Sequence, residues 1–102
     1  MITHIVMWTF KDSAAGADKA KNLAKTKVLL ESCAKLTSGI LKFEVATAQP
    51  GMECTYDLML NTQFADAAAL DAYQNHPHHV AIKPFIAAVR LERQCMDYES
   101  QI

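Results

Sequence analysis

Residues 2–10, ITHIVMWTF, alternate as a strand requires, with Ile2, His4, Val6, Trp8 and Phe10 on one face and Thr3, Ile5, Met7 and Thr9 on the other. Both faces are substantially apolar. That is an unusual demand, because an antiparallel sheet in a small monomer commonly leaves one face to water. Helices can cover one side of such a strand. Something else must cover the second.

The chain has 102 residues, enough for one domain over 1–102 and too few for a second independent core. With three glycines and three prolines and 51% hydrophobic residues, no long disordered tract is expected. Ten basic and eleven acidic residues leave a formal charge of −1, with no basic run, so the electrostatic attraction used by nucleic-acid binders is missing. The first residues lack a basic leader and a small-residue cleavage site, and no stretch approaches the roughly 20 apolar residues that span a bilayer. A soluble, cytoplasmic protein with neither nucleic-acid nor membrane partners is expected. Cys33, Cys54 and Cys95 are odd in number and in no CxxC pair, as expected of reduced thiols rather than a disulfide framework or a thiolate zinc site.

Beyond the first strand, Asp12 and Ser13 are candidate caps for a helix over 17–36, whose inward stripe is expected to be Leu23, Leu30 and Ala34 with Ala20 and Lys27 between them. Ser38-Gly39 stops it. Residues 40–48 alternate as a second strand, with Leu41, Phe43 and Val45 on one side. A turn at 49–53 leads to a third strand over 55–62, antiparallel to the second because the connection is so short. Asp66 caps a short helix reaching Asn75, and Pro77 turns the chain before a second helical piece, HHVAIKPFIAAV, expected to break at Pro84. A last strand follows over 89–98. The order is β-α-β-β-α-β, an α+β ferredoxin-like arrangement with a four-stranded antiparallel sheet and its helices on one face. A homodimer through the other face answers the demand of the first strand. Leu41, Phe43 and Val45, or the residues alternating with them, are the expected contact.

Four pieces of the sequence, HIVMWTFKD at 4–12, YDLML at 56–60, the spaced F, L, Y and HPxH from Phe64 to His79, and DY at 97–98, resemble the stress-responsive A/B barrel (Dabb) family. The resemblance implies a homodimer whose two sheets close into an α/β barrel. One plant branch of that family, to which the chain is similar, catalyses the aldol-type cyclisation of a linear polyketide thioester to an aromatic acid. By that resemblance its catalytic Tyr and His fall on Tyr73 and His79, and a further pocket His falls on His4. Another of its histidines falls on Asp57, where this sequence departs from it.

The residue types suit proton abstraction beside a carbonyl. An unperturbed imidazole titrates around 6.5, so His79 can accept a proton near neutrality, and the Tyr73 hydroxyl can donate to an enolate or carbonyl oxygen. His4 lies in mid-strand, a rigid place for a polar group at the floor of a pocket. Trp8, Asp57 and Met59 are the expected substrate-binding residues. His76, before Pro77, is expected at the helix end, and His78 in solvent. No HxxxH or HExxH pair exists to bind a metal, and no glycine-rich phosphate loop or nucleophile elbow occurs, so no metal or cofactor is expected. Three readings stay open: a cofactor-independent cyclase, isomerase or lyase acting on a small apolar carbonyl compound; a non-catalytic stress-responsive or ligand-binding dimer; and, by fold analogy, a cofactor-free quinol monooxygenase.

Overall fold

β1, Ile2–Phe10, lies inside the sheet, hydrogen-bonded on one side to β5, Leu58–Phe64, and on the other to β6, Arg90–Glu99. β4, Ile40–Thr47, adds to the far side of β5, so the sheet runs β4-β5-β1-β6 with every pair antiparallel. This is the ferredoxin-like order expected from the sequence. The computed structural model describes residues 1–101. Three helices complete the elements: α1, Lys19–Glu31; α2, Ala67–Gln74; and α3, Pro77–Val89. A two-residue hairpin, β2 at Ser13–Ala14 and β3 at Ala17–Asp18, precedes α1. None of the described helices is long and apolar enough to cross a membrane.

The helices lie on the face that carries Val6, Trp8 and Phe10 of β1 and Leu58, Leu60 and Phe64 of β5. Leu30, Leu70, Tyr73, Ile82, Ile86 and Val89 meet those side chains to form the core. The approach is closest at Gly39, where a Cβ would stand 2.4 Å from the Cβ of Ala69 on α2. Only glycine lets β4 enter the sheet beneath that helix.

Four local expectations need correction. α1 begins after Asp18, whose carboxylate accepts from the Lys21 N–H at 2.8 Å, rather than after Asp12 or Ser13. Its inward line is Asn22, Thr26, Leu30 and then Cys33, while Ala20 faces solvent. The polar Asn22 is buried because its side-chain amide donates to the Ala14 carbonyl at 2.9 Å and pins the hairpin to the helix. β5 starts at Leu58 rather than 55, since Asp57 ends the preceding loop: its N–H donates to the Trp8 carbonyl at 2.9 Å and its carboxylate accepts from the Phe10 N–H at 2.8 Å. α3 runs unbroken through Pro84. Pro84 sits on the solvent side, where water can reach the Val80 carbonyl that loses its partner, and Ile82, Ile86 and Val89 anchor the opposite side.

Register also settles what the outer sheet face carries. Phe43 and Val45 pair with Thr62 and Leu60 and turn toward the helices, so Lys42, Glu44 and Ala46 turn outward, with Leu41 at a bulge. Across the outer face run the rows Ala46, Met59, Met7, Gln94 and Glu44, Asn61, Ile5, Met96. The surface is apolar at its centre, with Glu44 and Asn61 polar on the β4 side and Gln94 on the β6 side. Met96 and Tyr98 are both exposed on it.

Candidate active site

α2 ends at Gln74 with Asn75 as its C-cap, and the chain restarts as α3 at once, with His76 as the cap and Pro77 in the first helical position. The fixed φ of proline suits that position, where its missing N–H costs no helical bond. His76 Nδ1 accepts from the His78 N–H at 3.1 Å, and His78 Nε2 lies 2.7 Å from the Ser32 hydroxyl at the end of α1. Those two histidines are fastenings of the helix junction.

His79 is different. Its Nδ1 lies 3.1 Å from the carbonyl of Gln74, the last residue of α2. A carbonyl can only accept, so Nδ1 carries the hydrogen and Nε2 keeps its lone pair. Burial holds the imidazole below its ordinary titration range, against the opposing effect of the Gln74 carbonyl, and the nearby Lys83 and Arg93 charges lower it further. His79 is thus a neutral base at neutral pH.

A cavity of about 540 Å³ opens between the sheet and the α2–α3 pair, and both His79 and His4 line it. Its apolar wall includes Val6, Trp8 and Leu60 from the sheet and Leu30, Ile82 and Ile86 from the helices. This is the size and lining of a small-molecule site. His4 is 4% exposed and stands directly opposite Asp97 of β6, with the Asp97 carboxylate hydrogen-bonded to its Nδ1. That contact fixes the ring and its tautomer, again leaving Nε2 without a partner among the described residues.

Of the six residues expected from sequence, the cavity brings together His4, Trp8 and His79. Tyr73 is fully buried behind His79, with ring centroids 4.6 Å apart, and does not line the cavity. It packs against Phe64 at 5.1 Å and Phe43 at 6.1 Å. Its hydroxyl finds no hydrogen-bond partner among the described residues, and burial, reinforced by the Cys33 thiol, pushes its pKa well above the ordinary phenol value. Asp57 caps the Phe10 N–H, lies 3.7 Å from Lys19 Nζ and does not line the cavity. Met59 pairs with Met7 on the outer face, where both line a separate hollow of about 300 Å³.

The site also holds residues that sequence reasoning missed. Asp97 could have been found only by pairing β1 with β6 in register, which sets it opposite His4. Lys83, Arg90 and Arg93 line the cavity from α3 and β6, and the bulge around Leu91 hides the common direction of the two arginines. No group of three potential ligand side chains that could hold a metal ion occurs among the described residues.

The stress responsive A/B barrel domain profile matches residues 2–100. The chain belongs to the stress-responsive A/B barrel family. Among solved structures it is similar to a dimeric ferredoxin-like protein of unknown function from Bacteroides fragilis, with 29% identity, 97% of this chain and 95% of that chain covered, and a TM-score of 0.80. A Dabb family protein from Mesorhizobium loti shares 26% identity over 97% of this chain and 95% of that one, with a TM-score of 0.67. A putative antibiotic biosynthesis monooxygenase from Nitrosomonas europaea covers 100% of both chains at a TM-score of 0.76 and 16% identity, a likeness of fold alone. No curated protein matches the sequence. Membership in the A/B barrel family therefore carries the architecture, and the chemistry has to be read from the cavity.

Proposed function

We propose that this A/B barrel protein is a cofactor-independent enzyme that moves a proton beside the carbonyl of a small apolar compound, as a cyclase, isomerase or lyase. The observation that supports this reading is a pair of imidazoles on one cavity with an apolar wall, each with Nδ1 engaged and Nε2 without a partner among the described residues. His79 Nε2 takes a proton from the carbon next to the carbonyl, and the electron pair of that C–H bond moves to the carbonyl oxygen as an enolate. The enolate carbon then attacks a second carbonyl or is reprotonated elsewhere. The His79 imidazolium returns the proton in either case, so the cycle closes without an added reductant or oxidant. His4, its Nδ1–H donated to Asp97, offers Nε2 as an acceptor for an enol or hydroxyl of the substrate. Tyr73 acts as a positioning residue that holds the His79 ring from behind.

The working form in this reading is a homodimer joined through the outer sheet face, with Ile5, Met7 and Met59 at its centre. The similar Bacteroides protein is dimeric, and resemblance to the A/B barrel family implies two such sheets closing on one another. The free thiols of Cys33, Cys54 and Cys95 fit a reducing cytoplasm.

Exchange of carbon-bound hydrogen for solvent deuterium, followed by NMR over a panel of small β-keto compounds, tests the chemistry. Wild type should catalyse exchange on at least one member, and His79→Ala should slow it by about 10²-fold or more. His78→Ala, which removes only the Ser32 contact, should leave the rate nearly unchanged. Equal rates in wild type and His79→Ala would end this assignment.

A further inference from the structure

We infer that the ligand of this cavity is an acid: a small molecule with an apolar body against Trp8, Leu60 and Ile82 and a carboxylate held at the mouth by Lys83, Arg90 and Arg93. The inference rests on the cavity being the active site and adds the class of compound that enters it. The chain as a whole has a formal charge of −1, yet three cations line this one cavity. Their positions are not explained by ion pairing. The ion pairs among the described residues join His4 to Asp97 and Lys19 to Asp12 and Asp57, and none includes Lys83, Arg90 or Arg93.

Asp71 also lines the cavity and keeps its charge while accepting from the Asn75 side-chain amide at 3.0 Å, and Asp97 holds His4, so three cations stand against one carboxylate in the lining. Positive charge therefore dominates the mouth, close enough that Lys83 and Arg93 both act on the His79 imidazole. An apolar cavity admits an anion poorly unless the charge is met by hydrogen-bonded partners. Two guanidinium forks and an ammonium meet it well, because a carboxylate accepts paired N–H bonds from arginine. The same field favours an enolate over its neutral parent, so the cations that seat the acid also favour the charge that His79 creates.

Trp8 is the only tryptophan and lines the cavity, so its fluorescence reports occupancy directly. The probes are 4-phenylbutyrate and 4-phenylbutyramide, which share shape and differ in charge; neither absorbs where indole is excited selectively. The acid should change Trp8 fluorescence saturably, with an affinity at least ten times that of the amide. The exposed substitutions Arg93→Gln and Lys83→Gln should each weaken the acid several-fold while leaving the amide unaffected, with folding checked by circular dichroism. Equal affinity for acid and amide would overturn the inference, as would a charge preference untouched by both substitutions or no response to either probe. Binding is measured without turnover, so an acid preference combined with no exchange activity would remove the proposed chemistry and leave the ligand class standing.

Discussion

Tyr73→Phe separates two roles for the phenol. Resemblance to the catalytic branch of the family suggests for Tyr73, on α2, a hydroxyl that donates to substrate beside His79. The structure buries the ring completely and leaves the hydroxyl without a partner among the described residues. Leaving a buried polar group unpaired costs about 1–3 kcal/mol, and the phenylalanine ring keeps the packing against Phe64, Phe43 and His79. The small void left by one oxygen offsets part of the gain. The net expectation is stabilisation by about 1 kcal/mol, a rise in Tm of about 4–8 °C for a domain near this size. Thermal denaturation at one fixed protein concentration measures it, since a dimer's Tm depends on concentration. Deuterium exchange by the variant should stay within about threefold of wild type, the scale of a change in positioning rather than the loss of an acid–base group. A destabilisation of 1 kcal/mol or more would show that the hydroxyl has a partner in the folded protein. A tenfold fall in exchange, with the protein as stable as wild type, would return the hydroxyl to the reaction.

Because burial and neighbouring cations hold His79 below its ordinary range, its basic form persists into mildly acid solution, and the acid limb of exchange activity should lie below pH 6.5, the unperturbed imidazole value. Lys83→Gln removes one of those charges, so the limb should move to higher pH; a shift in the opposite direction would contradict the electrostatic account. On the outer face, Met7→Lys places a charge at the centre of the proposed contact and should convert a dimer to a monomer at micromolar concentration in sedimentation, with the fold retained. A stable dimer in that variant would move the interface elsewhere.

The legible part of the fold lay in period-two strands. Ile2 to Phe10 announced a two-faced central strand, and the chain order then left the ferredoxin-like sheet as the simplest arrangement. Where local rules misled, a tertiary contact supplied the missing term. The expected inward stripe leaves out Asn22, which the hairpin carbonyl it grips draws inward, and Pro84 reads as a break until the helix is seen to turn it toward water. The site divides the same way. His4, Trp8 and His79 carry their chemistry in their side chains and could be singled out. Asp97, Arg90 and Arg93 are ordinary charged residues of an exposed strand, and only the β1–β6 register makes them neighbours of the cavity. Met59 went astray by parity: one step along β5 separates it from Leu60 and places it on the opposite side of the sheet.

β1 gives His4, Val6 and Trp8 to the cavity and Ile5 and Met7 to the outer face. Point substitutions can therefore alter ligand choice and self-association almost separately, since alternate positions answer to different surroundings. A deletion of one residue within the strand has no such freedom. Every side chain beyond it would exchange faces, setting Met7 toward the helices and Trp8 toward the outside. A replacement along this strand is thus felt on one side of the sheet, and a change in its length on both.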